Sequence, residues 1–302
     1  MALEDLAVLT PEKAAIRDKM VHWYEVSAGL VFNKHTCVQG WKDFTSSTAE
    51  GCADYHAVFS LLDLMGMVSS PWAHEDFYKG ALWTASHDRQ GARVLISGLA
   101  TPSMADIVLE ATNPEAKIDV LDVCPTPLLT CQKVFKPEQV ERMKFIQRDA
   151  LVFDGEGVQY DAITTDAFLT RFPEEGRLKV LRKWVKMLKP DGRAVTTWRI
   201  GGKQGQKGYG DADDQRIFME NLEKRVRDWG IPMSTFSEMQ TIFELAKAYA
   251  EKMHSYSGQT VEQIKTFMKQ CFGDVRIEES GWVYDVVLRK YARIIAYDPI
   301  KD

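Results

Sequence analysis

The sequence has no apolar run of the roughly 18 residues needed to cross a bilayer. The longest candidate, residues 57–68, carries Asp63 near its middle, and residues 1–5 are acidic where a secretory signal would be basic. The five cysteines are scattered and form no C-x-x-C pair, which is typical of a reducing compartment. We therefore predict a cytoplasmic protein with no membrane partner.

A strong excess of one charge is also absent. The 38 Lys and Arg residues against 43 Asp and Glu leave a net charge of −5, so nothing electrostatic favours a nucleic-acid partner. The apolar fraction of 45% is ordinary for a globular chain and excludes a disordered one. At about 150 residues per domain, the 302 residues predict about two domains. A small-molecule partner is expected, and a homodimer is left open.

Strands alternate with helices from residue 93, which predicts a parallel sheet with crossover helices. We expect an α/β fold with a Rossmann-like doubly wound sheet formed by residues 90–200 and 258–302. Residues 1–89 are interpreted as an N-terminal helical lid. Residues 201–257 follow the fifth strand and are interpreted as a glycine-rich mobile loop with a helical insertion.

Small and acidic residues stand at the predicted strand ends, where open parallel sheets bind ligands. Three carboxylates in register at successive strand ends favour a nucleoside site, whereas each one alone is equally typical of a helix cap. The candidate cofactor-binding residues are Ser97, Gly98, Ala100, Asp122, Val123, Asp149, Ala150, Asp166 and Phe168.

Residues 93–200 resemble the class I S-adenosylmethionine-dependent methyltransferases. The segment from Tyr160 to Leu169 is similar to the family's fourth strand, and Leu188-Lys-Pro-Asp-Gly-Arg-Ala-Val195 is similar to its turn into the fifth. The resemblance implies S-adenosyl-L-methionine as cofactor and transfer of its methyl group to a small metabolite. The first motif departs from the family, because Gly98 is the one glycine left of three and Ser97 replaces an acidic residue.

In-line methyl transfer mainly requires alignment of the acceptor and exclusion of water. The resemblance places Asp166 and Arg199 on the acceptor side, and Tyr24 is expected to face the sulfonium, with plain core packing as its alternative. Arg171 and Arg199 follow the fourth and fifth strands, so an amino-acid-like acceptor is favoured. Whether N, O or S is methylated stays open, as does the need for a general base.

Two other functions are compatible with these patterns. An NAD(P)-dependent Rossmann oxidoreductase needs a glycine-rich pyrophosphate turn, which residues 99–102 match poorly. A non-catalytic binding protein with the methyltransferase fold is the second. His35, Cys37, Cys52 and His56 are metal-capable residue types, but their spacing matches no zinc pattern, and no metal site is predicted.

Overall fold

A computed structural model describes residues 11–37, 52, 55–87, 89–201, 212–228, 239–252, 256–285 and 287–301. The strands are β1 (Arg93–Ser97), β2 (Lys117–Asp122), β3 (Met143–Gln147), β4 (Tyr160–Thr165), β5 (Leu188–Ile200), β6 (Phe272–Glu279), β7 (Val283–Asp285) and β8 (Val287–Pro299). The helices are α1 (Pro11–Lys34), α2 (Phe59–Leu64), α3 (Glu75–Ser86), α4 (Ser103–Ala111), α5 (Pro125–Val134), α6 (Pro137–Val140), α7 (Glu174–Met187), α8 (Ala212–Asp228), α9 (Met239–Lys252) and α10 (Val261–Met268).

The strands form one sheet in the order β3-β2-β1-β4-β5-β8-β6, with β7 paired to β8. Strands β1 to β5 are mutually parallel, and β8 runs antiparallel to both β5 and β6. The strand order reverses between β1 and β4, which is the point where such sheets bind ligands. The predicted Rossmann-like doubly wound sheet is thus confirmed.

The sheet is buried on both faces, as its apolar strands require. Alternate residues of β1 lie in different cores, because successive side chains of a strand point to opposite faces. Leu95 packs in one core with Trp184 of α7, whereas Val94 and Ile96 pack in the other with Tyr78 of α3. Helix α3 therefore belongs to the packing of the sheet itself.

Most predicted boundaries agree with the structure. The sequence predicts strands at 117–122 and 160–165, which are the bounds of β2 and β4. It also predicts a fifth strand that begins at 193, but β5 begins at Leu188, because Leu188 already pairs with Tyr160 of β4. The helix predicted from Pro11 to about Val26 is α1, which continues to Lys34. The short strand β7 was not predicted.

A third core joins segments that are far apart in sequence. We call α1, residues 55–68, α8 and α9 together the cover. Its shared core includes Met20 and Leu62 from the N-terminal part with Phe218, Leu222 and Tyr249 from the insertion. Residues 1–10 and most of the glycine-rich stretch, 202–211, lie outside the described residues. The division of the chain into domains stays a prediction.

Within the described part of the chain, no helix is both long and apolar enough to cross a bilayer.

Candidate functional site

A cavity opens where the carboxyl ends of β1, β2, β3, β4 and β5 meet the cover. It encloses about 1330 Å³ of empty space, part of which is open to solvent. Most of the predicted site residues line it: Gly98, Ala100, Asp122, Val123, Asp149, Ala150, Asp166, Phe168 and Arg199. The structure therefore brings together predicted site residues from distant parts of the chain, since Gly98 and Arg199 are 101 positions apart.

The turn after β1 allows the backbone to approach the cavity closely. Gly98 has a φ of +91°, and a Cβ atom there would lie 2.6 Å from Cδ2 of the Phe168 ring. Both the left-handed conformation and the close ring exclude a larger residue. The one glycine retained from the first motif is therefore the one that this turn requires.

Asp122 ends β2 and is held by two backbone amides. Its Oδ2 accepts a hydrogen bond from the Leu99 amide at 2.8 Å, and its Oδ1 accepts one from the Cys124 amide at 2.7 Å. Burial raises the pKa of Asp122 to about 6 although both amides lower it. Each carboxylate oxygen accepts more than one hydrogen bond, so the fixed carboxylate can also receive hydroxyl donors from the cavity.

Asp149 follows β3 and closes a local turn. Its Oδ1 accepts a hydrogen bond from the Leu151 amide at 2.9 Å, and the residue lines the cavity although it is buried. The structural role weighed for this carboxylate from the sequence was a helix cap, and the structure shows a turn in its place. The Asp149 side chain therefore both lines the cavity and accepts the hydrogen bond that closes the turn.

Asp166 lies directly after β4 and is fixed through one oxygen. Its Oδ1 accepts hydrogen bonds from Tyr78 Oη at 2.8 Å and from Thr197 Oγ1 at 2.6 Å. Burial and the Asp166 charge together raise the pKa of Tyr78 well above its usual value, so the phenol stays a donor. Tyr78 was not predicted, because its helical spacing resembles that of any core aromatic.

Two predicted site residues lie outside the cavity wall. Tyr24 is buried in the core of the cover, where burial raises its pKa to about 12. This position agrees with the core packing that the sequence left as the alternative for Tyr24, and the side chain does not line the cavity. Ser97 is also buried, and its hydroxyl accepts a hydrogen bond from Trp184 Nε1 at 3.1 Å.

Arg199, near the end of β5, is a buried cation in the cavity wall. It is 6% exposed, and its Nε donates to Tyr291 Oη at 3.2 Å. Arg171 lines the same cavity from the turn after β4. Two guanidinium groups thus border the cavity. Arg171 follows β4 as expected, but Arg199 lies within β5, because the strand continues to Ile200 instead of ending before Arg199.

The cover contributes an aromatic wall that the sequence did not reveal. Tyr55, Phe59 and Tyr249 line the cavity, with Tyr249 ring centroids 5.9 Å from Tyr55 and 5.7 Å from Phe59. Burial raises the pKa of Tyr55 to about 12, so it is uncharged near neutral pH. These residues match the periodicity of ordinary core aromatics, and no local signal distinguishes them.

Four metal-capable side chains also meet at the cavity wall. One donor atom from each of Cys37, Cys52, His56 and Cys124 lies within 4.8 Å of the others. Three of these residues were noted in the sequence, but His35 is not part of the group. Cys124 was missed because it joins the others only through the fold, from the loop between β2 and α5.

Comparison with known proteins gives one family match. Residues 94–192, about a third of the chain, match the family described as a methyltransferase domain. No curated protein matches the sequence.

Among solved structures, the fold is similar to that of the 1,6-didemethyltoxoflavin-N1-methyltransferase of Burkholderia thailandensis. The TM-score is 0.50 at 15% identity, covering 97% of this chain and 92% of that one. NodS, an N-methyltransferase of Bradyrhizobium japonicum, gives a TM-score of 0.43 at 16% identity, covering 79% of this chain and 98% of that one. Human N-acetylserotonin methyltransferase gives a TM-score of 0.48 at 14% identity, covering 91% of this chain and 70% of that one. At these identities the first likeness shows the fold alone.

Proposed function

We propose that this chain, whose residues 94–192 match a methyltransferase domain, is a class I S-adenosylmethionine-dependent methyltransferase that transfers a methyl group to a small metabolite. The observation that carries the proposal is the single cavity that gathers Asp122, Asp149 and Asp166 from the ends of three parallel strands. Neither the family match nor the fold comparison favours the dehydrogenase alternative.

The cavity fits S-adenosylmethionine on features of its own wall. The Gly98 turn has no side chain that would fill the space beside Phe168, so the backbone can border a ligand closely. We assign Asp122 to the ribose hydroxyls, with Val123 beside it. Asp149 and Ala150 are assigned to the adenine, with Phe168 against the base. Gly98 and Ala100 border the amino-acid part.

S-adenosylmethionine supplies an already activated methyl group when it is bound. The chain must then hold the acceptor in line and exclude water. We assign acceptor alignment to Asp166, which Tyr78 and Thr197 fix in place, and to Arg199. The aromatic wall of Tyr55, Phe59 and Tyr249 lines the same space and excludes water from it.

We propose an amino-acid-like acceptor, because two guanidinium groups, Arg171 and Arg199, border the cavity and suit a carboxylate. Neighbours of this fold include N-methyltransferases, and product analysis of the purified enzyme decides between N, O and S. The net charge of −5 argues against a nucleic-acid substrate. All five cysteines are free, in keeping with the cytoplasm.

The cofactor assignment is tested by calorimetry with S-adenosylhomocysteine on Asp122→Ala. Loss of a hydrogen-bonded carboxylate should cost about 1.5–3 kcal/mol, which is about a 10- to 150-fold weaker affinity. The matched control is Asp119→Asn on the same strand, where the carboxylate accepts a hydrogen bond from Tyr160 at 2.7 Å, away from the cavity. It should lower stability and leave the affinity unchanged.

Equal affinity in Asp122→Ala and the unaltered chain would contradict the ribose assignment. Binding of NAD in place of S-adenosylhomocysteine would support the dehydrogenase. Tight cofactor binding with no methyl transfer to any amino acid, amine or thioether would identify a non-catalytic binding protein.

A further inference from the structure

Three thiols and one imidazole meet where three separate parts of the fold come together. Cys37 follows the end of α1, Cys52 and His56 belong to the segment before α2, and Cys124 precedes α5. Their donor atoms lie within 4.8 Å of one another, and no disulfide joins any of them. Four soft donors converging from distant parts of a chain are the usual ligand set of a structural zinc site.

The spacing of the donors suits a tetrahedral ion. Zinc lies about 2.3 Å from sulfur and about 2.0–2.1 Å from nitrogen, so a sulfur and a nitrogen ligand on one tetrahedral zinc are about 3.6 Å apart. The observed distance between Cys37 Sγ and His56 Nδ1 is 3.5 Å. By the same geometry two sulfur ligands lie about 3.8 Å apart, which is within the limit of 4.8 Å that the four donor atoms satisfy.

The surroundings of these four side chains also resemble those of metal ligands. Cys37, His56 and Cys124 are buried. Thr126 places its hydroxyl 3.1 Å from Cys37 Sγ, the kind of outer partner that orients a metal-bound thiolate.

We propose that Cys37, Cys52, His56 and Cys124 bind one zinc ion as a closed Cys₃His site. Binding releases the thiol protons to solvent, because thiolates are the ligands. With all four positions filled by the protein, the ion cross-links the end of α1, the segment before α2 and the β2–α5 loop. The site is structural, and its ligands also line the cavity.

The zinc site also touches the methyl-donor site, a link that rests on the proposed function. The amide of Cys124 donates to Asp122 Oδ1 at 2.7 Å, so an ion that fixes Cys124 also fixes the carboxylate assigned to the ribose. Removal of zinc should therefore weaken binding of S-adenosylhomocysteine. This link has its own readout and does not decide whether zinc binds.

The test is the metal content of the reduced, full-length chain, measured by plasma mass spectrometry after dialysis against zinc. We expect one zinc per chain. In Cys37→Ser, Cys124→Ser and His56→Gln we expect more than about a tenfold weaker zinc affinity, since even an outer partner contributes about 10- to 100-fold. The Thr126→Val variant should still bind one zinc ion, with an affinity about 10- to 100-fold weaker than that of the unaltered chain.

Cys131→Ala is the matched control, because Cys131 is a buried cysteine of α5 outside the cluster. It should keep one zinc at unchanged affinity. Since a ligand variant can fail to fold, cobalt is added to the unaltered chain as a second measurement. A thiolate-to-cobalt charge-transfer band with intense tetrahedral visible bands is expected.

Several results would overturn the site. These are reduced chain without stoichiometric zinc, cobalt spectra lacking thiolate bands, or unchanged zinc affinity in the Cys37, Cys124 and His56 variants. Because no methyl donor is present in these measurements, they stand whether or not the chain proves to be a methyltransferase.

Discussion

The sheet and the cover border the same cavity but are held together in different ways. Strands β1 to β5 are joined by backbone hydrogen bonds in a continuous parallel ladder, with buried side chains on both faces. The cover is joined by side-chain packing between α1, residues 55–68, α8 and α9, which lie up to about 240 residues apart. The part of the cavity wall formed by the sheet therefore depends on backbone geometry, and the part formed by the cover depends on side-chain packing.

This difference has a functional consequence. Asp122 accepts hydrogen bonds from two backbone amides and Gly98 shapes a turn, so the sheet part of the cavity wall tolerates little change in position. The cover part of the wall includes Tyr55, Phe59 and Tyr249, whose replacement alters the shape of the cavity without breaking a strand. Substitutions in the cover should therefore change what the cavity accepts with less damage to the fold than substitutions in the sheet.

The largest expected effect separates the two regions directly. Ile163→Ala in β4 and Leu62→Ala in α2 each truncate a fully buried side chain. Each should lower the free energy of unfolding by about 2–5 kcal/mol. Ile163→Ala should speed amide hydrogen exchange throughout the sheet. Leu62→Ala should speed exchange mainly in α1, α2, α8 and α9, as local opening of the cover. Equal acceleration in both regions by Leu62→Ala would show that sheet and cover unfold as one unit.

A smaller effect is expected from alanine substitution of two glycines that have similar φ angles. Gly98→Ala and Gly157→Ala, at φ of +91° and +83°, should each lose about 1–2 kcal/mol of stability through the left-handed conformation. Only Gly98→Ala also places a Cβ atom against Phe168, because nothing lies within 4 Å of a Cβ at Gly157. Thermal unfolding and calorimetry with S-adenosylhomocysteine should show weaker cofactor binding for Gly98→Ala alone. Weaker binding in both variants would assign the effect to general destabilisation.

The smallest effect is expected on the acceptor side. Arg199→Lys keeps the charge but loses the planar guanidinium, so it should raise the acceptor KM about tenfold, or about 1.4 kcal/mol. Cofactor affinity should not change. Arg193→Lys is the control, because Arg193 belongs to the same strand, does not line the cavity and donates to Thr84 Oγ1 at 2.8 Å. An unchanged KM in Arg199→Lys, or an acceptor without a carboxylate, would remove Arg199 from acceptor binding.

The sheet side of the site was largely predictable, and the cover side was not. Asp122, Asp149 and Asp166 were found because a carboxylate directly after a buried strand is a local pattern, and parallel strands bring their ends to one edge. Two places stayed open for Tyr24, the core and the sulfonium, because the sequence cannot tell which face of α1 meets the cavity. Tyr249 and Cys124 were missed because their roles depend on partners far away in the chain.

By itself, the sequence determined the parallel sheet and the acidic strand ends, since these follow from burial patterns and turn residues within short segments. The tertiary structure alone decided which aromatic side chains line the cavity and which cysteines meet. The physical reason is that side-chain packing between distant segments leaves no periodic trace in the sequence. Cys37 and Cys124 are separated by 87 positions along the chain, and only the docking of α1 beside α5 brings their sulfur atoms together.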